Sequence, residues 1–241
     1  MIAFTPIVAE ASRAPLVALP ELAGDGDILV LAPHPDDESL ASGGAIAAAV
    51  AANRRVHVAV VTDGARSHPN SATHPPAKLS DLRRSEVQAA VDILTDGSST
   101  VIWLGYPDMA APDDAGAFAD VAVQLRPVLE NVSAIWTTWN GDPHPDHQRV
   151  WRLARWLVAR HPGIRMFACP VWGRVQGPMQ DAKCLGMRRF HTGPYRALKA
   201  RAVAAHVSQM TGLIGDDPQG FRMPAELAAH FVDTDEIYIP S

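Results

Sequence analysis

The 241-residue sequence has few cysteines, no excess of basic residues and no long apolar segment. Its two cysteines, Cys169 and Cys184, are too few for a disulfide scaffold and lack the spacing of a metal-binding pair. The net charge of −5 argues against a general nucleic-acid-binding protein, which would carry a basic excess. No uncharged apolar segment approaches the roughly 18–20 residues of a membrane span, and the N-terminus does not resemble a secretory signal. We therefore expect a cytoplasmic protein without a membrane span or a nucleic-acid partner.

The composition is that of an ordinary globular protein, with 47% hydrophobic and 20% charged residues. Residues 1–26 are rich in proline and alanine and have no clear periodicity, so we expect an N-terminal extension that lies over the body. The remaining residues, 27–241, suit one domain. Within it we expect residues 27–170 to form the sheet core and residues 171–241 to shape the substrate pocket.

Short apolar segments alternate with helical patterns from about residue 28 onwards. The strands are predicted near 28–32, 56–61, 101–104, 133–139, 164–169 and 236–239, and the helices near 39–52, 79–95, 118–129, 150–158, 195–207 and 223–231. Because the first five strands are apolar throughout, they are typical of a parallel sheet that is covered on both faces. The sequence therefore predicts a single-domain α/β fold with a Rossmann-like, doubly wound, mostly parallel sheet and helices on both faces. Such sheets bind ligands beyond the carboxyl ends of their strands.

Two polar clusters follow strands at the edge where a doubly wound sheet binds its ligand. They are PHPDDE at 33–38, after the first strand, and DPHPDH at 142–147, after the fourth. His34, Asp37 and His147 would give a catalytic zinc three protein ligands and leave a position open for water. Asp36 would remain as a carboxylate that binds no metal and could accept a proton from the bound water. This arrangement predicts metal-assisted hydrolysis.

The acidic residues of both clusters could also have a purely structural role. Asp36, Asp37 and Glu38 could cap the helix that follows them, and Asp146 could cap the helix that begins near His147. Either cluster alone would be ambiguous. Two clusters at equivalent strand ends favour a functional site.

Two other functions use the same residue types. Two histidines and one carboxylate also form the iron site of non-haem oxygenases, although those enzymes usually have jelly-roll sheets rather than parallel ones. A metal-bearing carbohydrate-binding protein without catalysis is the second alternative. The presence of Asp36 and His144 argues against it, because neither is needed merely to hold a metal.

The two clusters together resemble the LmbE-like, or PIG-L, family of zinc-dependent N-acetylglucosaminyl deacetylases. Weaker motifs of that family follow in the expected order, and the resemblance covers about residues 28–160. These motifs are TDG at 62–64, RRSE at 83–86 and LGYPD at 104–108, with HVSQ at 206–209 beyond them. Pro33 stands where many members have alanine, which is a minor departure.

The resemblance implies a hydrolase that removes the acetyl group from an amino sugar or a sugar conjugate, a small-molecule substrate of the N-acetylglucosamine type. It implies that His34, Asp37 and His147 bind zinc, in agreement with the choice made from the residues alone. It also implies that Asp36 is the general base. Ferrous iron or another divalent metal would suit the same ligand types.

Four further roles are implied by the resemblance. His144 would stabilise the oxyanion, and Asp146 would orient His144. Arg83 would contact the substrate, although a surface salt bridge to a nearby carboxylate is an equally open interpretation. His206 is either a substrate-binding wall of the active site or an ordinary residue on a helix face.

A long loop at about residues 64–78 follows the second strand. Long loops in compact domains are often lids or binding loops, and a surface loop stiffened by proline is the other interpretation. At its start we expect Asp63 to accept a turn hydrogen bond rather than to contact a ligand. We expect substrate specificity to reside in this loop and in the region after residue 170.

Overall fold

The computed structural model describes residues 2–177 and 184–241. Within that part of the chain the strands are β1 (Asp27–Ala32), β2 (Val56–Thr62), β3 (Ile102–Tyr106), β4 (Val132–Thr138), β5 (Arg165–Cys169), β6 (Arg188–Phe190) and β7 (Glu236–Pro240). The helices are α1 (Pro6–Ala11), α2 (Leu19–Ala23), α3 (Asp37–Ala51), α4 (Pro76–Thr95), α5 (Ala115–Leu129), α6 (Pro145–Val158), α7 (Arg196–Ala205), α8 (Val207–Met210) and α9 (Ala225–Asp233). None of these helices is long and apolar enough to cross a membrane.

The strands form one sheet in the order β3-β2-β1-β4-β5-β7-β6. Strands β1 to β5 are parallel, and β7 pairs antiparallel with both β5 and β6. The chain runs outward from β1 to the edge at β3 and then returns to place β4 beside β1. The fold is therefore the predicted doubly wound, mostly parallel α/β sheet, and its strand order reverses between β1 and β4. Ligands bind at this reversal in open α/β sheets.

Alternate residues of the central strand pack against helices on opposite faces of the sheet. Ile28 and Val30 belong to the core beneath α3, α4, α7 and α9, whereas Leu29 and Leu31 belong to the core beneath α5 and α6. All four side chains are buried. This two-sided burial explains why the strand reads as a continuous apolar segment in the sequence.

The N-terminal segment contains more regular structure than its sequence predicts. Helices α1 and α2 form within residues 1–26, and Met1 lies outside the described residues. The backbone N–H of Thr5 donates to the carbonyl oxygen of Arg174, and Val17 N–H donates to that of Arg189. These helices have six and five residues, which is too short for a periodic pattern to be recognised.

Candidate active site

The segments that follow β1 and β4 meet at the carboxyl edge of the sheet and form one side of a cavity of about 450 Å³. The two strands are direct neighbours, so the predicted clusters are brought together by their pairing. The predicted residues that line the cavity are His34, Asp36, Asp37, Arg83 and His144. Its other walls come from the loop after β2 and from the region after β5, namely Arg66, Ser67, Pro69, Val171, Trp172, Gln209, Gln219, Phe221 and Met223.

A carboxylate oxygen of Asp37 lies between two histidines. Asp37 Oδ2 is 3.2 Å from His34 Nδ1 and 3.4 Å from His147 Nε2. Ligand atoms about 2.0–2.1 Å from a tetrahedral zinc lie about 3.3 Å from one another, so both distances fit neighbouring ligands of one ion. His147 Nε2 is buried and, within the described part of the chain, has no polar partner closer than this Asp37 oxygen. A buried imidazole nitrogen in this state could serve as a metal ligand.

Two groups of closely spaced potential ligand atoms share His34 with these contacts, and neither includes Asp37. Nitrogen atoms of His34, His144 and His147 lie within 4.8 Å of one another, and His34 forms a similar group with Asp108 and Asp146. The site therefore offers a cluster of imidazole and carboxylate donors around His34 that could hold a divalent metal.

Asp142 contacts the ring nitrogen of His147 that faces away from Asp37. Asp142 Oδ2 is 2.8 Å from His147 Nδ1, and the same carboxylate accepts the backbone N–H groups of Val171 and Gly173. In the neutral ring that a metal ion requires, Nδ1 would donate to this carboxylate and Nε2 would carry the free lone pair. A carboxylate behind a histidine ligand fixes both its tautomer and the orientation of its ring.

Asp36 has a strained backbone and does not cap the helix that follows it. Its φ of 148° lies in a region that side-chain-bearing residues rarely adopt, and its carboxylate makes no capping hydrogen bond. Such a conformation costs roughly 1–3 kcal/mol and is typical of functional sites. Burial raises the pKa of Asp36 to about 6, although the nearby Arg83 guanidinium opposes this rise. The capping interpretation of Asp36 is therefore wrong.

Arg83 is buried and pairs with Asp36 instead of forming a surface salt bridge. Its Nη2 lies 3.2 Å from Asp36 Oδ2 and also donates to the carbonyl oxygen of Pro35, while Nη1 donates to that of Gly64. Arg83 thus joins the loops after β1 and β2 and holds the carboxylate at the cavity wall. It lines the cavity as well, so a substrate could reach it.

His144, rather than Asp146, is the cap of α6. His144 Nδ1 accepts the backbone N–H of Asp146, which leaves the other ring nitrogen, Nε2, to carry the hydrogen in a neutral ring. Burial and the neighbouring histidines His34 and His147 lower the pKa of His144 to about 3, so its ring is neutral near pH 7. His144 therefore presents an N–H donor to the cavity that it lines.

The predicted contact between the Asp146 carboxylate and His144 is not found among the described residues. The carboxylate accepts the backbone N–H groups of Met109 and Ala111 and lies 3.2 Å from Arg149 Nη1. These donors draw the side chain towards the loop after β3. It is the backbone of Asp146, and not its carboxylate, that orients His144.

His206 does not form a wall of the cavity. It is fully buried at the break between α7 and α8, where its Nε2 lies 3.0 Å from Oε1 of Glu38. The structure therefore gives no support to a substrate-binding role for this side chain, which stays a prediction. The sequence motif is nevertheless close to the site, because Gln209 lines the cavity.

The loop after β2 lines the cavity and is anchored at several points. Asp63 Oδ1 accepts the N–H groups of Ala65 and Asp108, as a turn residue was expected to do. Farther along the loop, Asn70 N–H donates to Asp217, and the Ser71 hydroxyl donates to Asp216. The loop and the region after β5 thus build one wall of the cavity together.

Several residues of the site are not predicted by the sequence. Asp108 lines the cavity 3.5 Å from His34 Nε2, and its place in the LGYPD motif was the available signal. Asp142 belongs to the DPHPDH cluster but has no local feature that marks its partner. Trp172 and Phe221 lie in segments without a periodic pattern, and their rings pack edge to face 5.6 Å apart.

The fold and the site define a doubly wound α/β protein with a donor cluster suited to a divalent metal at the switch point of its sheet. The chain belongs to the PIG-L family, described as GlcNAc-PI de-N-acetylase, whose model matches residues 29–158. This match spans more than half of the chain and includes both polar clusters. It supports neither the oxygenase nor the non-catalytic alternative.

Relatives and solved structures extend the comparison. The chain is 29% identical over 235 residues to the 1D-myo-inositol 2-acetamido-2-deoxy-alpha-D-glucopyranoside deacetylase of Nocardia farcinica, which covers 87% of this chain and 72% of that protein. The fold of this chain is similar to that of N,N'-diacetylchitobiose deacetylase from Pyrococcus horikoshii, with a TM-score of 0.66 and 18% identity. The match covers 98% of this chain and 90% of that one. The fold is also similar to that of 4-carboxy-2-hydroxymuconate hydratase from Pseudomonas putida, with a TM-score of 0.64, 19% identity and coverage of 87% and 84%. The fold therefore supports more than one reaction, and the activity must be argued from the site.

Proposed function

We propose that this protein is a zinc-dependent deacetylase that hydrolyses the acetamide group of an N-acetylated amino sugar or sugar conjugate. The observation that carries the proposal is the buried Nε2 of His147, which lies 3.4 Å from Asp37 Oδ2, the same oxygen that is 3.2 Å from His34 Nδ1. Asp37 and His34 line the cavity together with Asp36, and His147 lies directly behind them. We further propose a small-molecule substrate and a cytoplasmic location.

In this proposal His34, Asp37 and His147 hold the metal. Zinc bound there would supply a Lewis acid that polarises the amide carbonyl and lowers the pKa of a water ligand. Asp142 keeps His147 in the tautomer that binds metal through Nε2. Asp36 is left outside the ligand set because its carboxylate is engaged by Arg83.

Asp36 and His144 perform the proton transfer and the charge stabilisation. Asp36 accepts a proton from the attacking water as the water oxygen bonds to the carbonyl carbon of the acetyl group. Asp36 then returns a proton to the amine as the C–N bond breaks. The products are acetate and the free amino sugar. His144 Nε2–H donates to the oxygen that becomes negative in the tetrahedral intermediate, a contribution worth about 10²–10³ in rate for a comparable donor.

The volume and the lining residues of the cavity support a sugar derivative as the substrate. Its volume of about 450 Å³ lies within the usual range for small-molecule sites, roughly 300–1,000 Å³. Trp172 and Phe221 offer aromatic surface, while Arg66 and Gln219 offer polar groups at the same cavity. The Nocardia relative is named for a substrate that contains an acetamido-glucose unit. We therefore propose a substrate of this class.

The test combines metal analysis with amine release. Elemental analysis of the purified protein should find about one zinc per chain. Primary amine should be released from one or more members of a panel of N-acetyl sugars, and this release should stop on chelation and return on addition of zinc. Bound zinc without turnover on any acetamide would contradict the proposed reaction. Failure to bind any divalent metal would contradict the proposed site.

A further inference from the structure

Asp36 combines a chemical role with a backbone conformation that requires external support. Its φ of 148° and ψ of −26° are unfavourable for a residue with a side chain, and conformations of this kind persist only where neighbouring groups enforce them. Arg83 holds the carboxylate, but the carboxylate does not determine the peptide geometry. The support must therefore come from groups that contact the backbone.

The backbone N–H of Asp36 is held by a side chain two residues further along. Glu38 Oε2 accepts this N–H at 3.1 Å, and Glu38 is fully buried. The carbonyl oxygen of Asp36 accepts the N–H groups of Ser39 and Leu40 in the first turn of α3. The peptide groups on both sides of the strained residue are therefore fixed.

Glu38 is fixed in turn by His206, which comes from a distant part of the chain. His206 Nε2 lies 3.0 Å from Glu38 Oε1, and the Ser39 hydroxyl donates to the same oxygen. One oxygen of Glu38 thus faces Asp36 while the other faces His206. None of Glu38, Ser39 and His206 is exposed to solvent.

The position of His206 is secured by the helix that also carries Arg83. Ser208, two residues after His206, donates its backbone N–H and its hydroxyl to the Glu86 carboxylate at 2.7 and 2.6 Å. Glu86 lies one turn after Arg83 on α4. Helix α4 therefore supports Asp36 in two ways. Arg83 holds the Asp36 carboxylate, and Glu86 holds the segment that carries His206.

We propose that His206 and Glu38 are positioning residues that hold the strained backbone of Asp36 and thereby aim its carboxylate at the reacting water. The inference rests on the proposed function in one respect, namely that Asp36 is the general base. The claim about the backbone stands independently of the reaction. It assigns His206 a role through Asp36 and not through contact with substrate.

The first experiment tests for the backbone strain at Asp36 through thermal stability and needs no activity assay. Asp36→Gly and Asp36→Ala remove the same carboxylate, but only glycine adopts a φ of 148° without strain. In the otherwise unchanged protein, Asp36→Gly should therefore have the higher Tm of the two. Adding His206→Ala to each should abolish or reverse this difference, because a released backbone relaxes to a conformation that alanine prefers. A glycine advantage that persists in the His206→Ala background would overturn the proposal.

The second experiment uses steady-state kinetics on the acetamide that the wild type turns over best. His206→Ala should lower kcat by about 10²-fold, the loss expected from a misplacement of about 1 Å, with little change in KM or in metal content. His206→Gln retains an N–H donor near the position of Nε2 and should recover most of the rate. A rise in KM with kcat unchanged would instead identify His206 as a substrate contact. Wild-type kcat in His206→Ala would also overturn the proposal.

His57→Gln is a matched control. His57 forms a similar pair with Asp27, at 3.0 Å, near the amino ends of β1 and β2 and so at the opposite edge of the sheet. The His57→Gln substitution should leave unchanged both kcat and the Tm difference between Asp36→Gly and Asp36→Ala. If the wild type releases no amine from any acetamido sugar, the proposed function fails, whereas the Tm comparison still tests the backbone claim. Glu38→Gln provides the same comparison if His206→Ala does not fold.

Discussion

The carboxylate of Asp142 lies 2.8 Å from Nδ1 of His147, and neither side chain is exposed to solvent. The same carboxylate accepts two backbone N–H groups from residues 171–173, just after β5. Asp142 therefore connects the proposed metal ligand to the segment that carries Trp172, a residue of the cavity wall. We therefore expect both metal binding and the shape of the cavity to depend on one buried carboxylate.

Asp142→Asn should weaken metal binding without removing a metal ligand. Asparagine retains one oxygen, so only one of the two backbone N–H groups, which bond to different oxygens of Asp142, keeps its acceptor. A neutral amide also no longer supports His147 as a carboxylate does. Loss of such a partner typically lowers metal affinity about 10–100-fold. Competition with a chelating dye measures the change. Asp113→Asn, which alters an exposed ion pair with Arg152, is the control, and equal affinity in both variants would refute the assignment.

Asp36→Asn should separate catalysis from metal binding. The variant removes the base and keeps the size of the side chain, so we expect turnover to fall by about 10²–10⁴-fold while metal content stays the same. Metal analysis and amine release on the same preparation provide both readouts. Asp27→Asn, at the amino end of β1, is the matched control and should retain activity. Loss of metal from Asp36→Asn would show that Asp36 is a ligand.

The buried ion pair of Lys199 and Glu236 supports the region behind the site. Lys199 Nζ lies 2.7 Å from Glu236 Oε1, and both side chains are fully buried. Glu236 also accepts the backbone N–H groups of Gly44 and Ala45 within α3, which begins at the site. Burial lowers the pKa of Lys199, and the Glu236 carboxylate opposes this effect.

Lys199→Met should lower the free energy of unfolding by about 3–5 kcal/mol, because it leaves a buried carboxylate without its countercharge. Replacing both partners, as Lys199→Met with Glu236→Gln, should recover part of this loss. Urea unfolding measures both variants. Arg152→Met breaks an exposed ion pair and should cost about 1 kcal/mol or less. A similar small loss in Lys199→Met would show that the buried pair contributes little.

Local patterns in the sequence are sufficient to predict β1 to β5 and the helices between them. Each of these strands is a short apolar segment, and α4 carries a buried stripe that includes Val87, Ala90, Val91 and Leu94. The place of β7 between β5 and β6 could not be predicted in this way. It depends on pairs such as Ala168 with Ile239, which are distant in sequence and have no local signal.

The candidate site, like the fold, could be predicted from the sequence only in part. Its central residues could be predicted because two short motifs follow neighbouring strands, so that local sequence and topology agree. The partners of those residues could not be predicted. Glu38 and His206 are separated by 168 positions, and the sequence contains nothing that pairs them in advance of the fold. The contact of Asp146 with the loop after β3 is of the same kind.

His230 should make the protein less stable in mild acid. Burial, followed by the charges of Arg174 and Lys199, lowers the pKa of this histidine to about 4. An unfolded histidine titrates near about 6.5, so between these values the unfolded state binds more protons than the folded state. The contribution of His230 is therefore fully present above about pH 6.5 and is lost as the pH falls towards about 4.

His230→Phe tests this sign directly, because phenylalanine keeps a ring against Phe4 but does not titrate. Urea unfolding at about pH 7 and about pH 4.5 should give a smaller loss of unfolding free energy in the variant than in the wild type. Other groups titrate equally in both proteins, so their effects cancel in this difference. His191→Phe, which removes an exposed imidazole, should follow the wild type. Parallel losses in the wild type and His230→Phe would show that His230 does not carry the acid sensitivity.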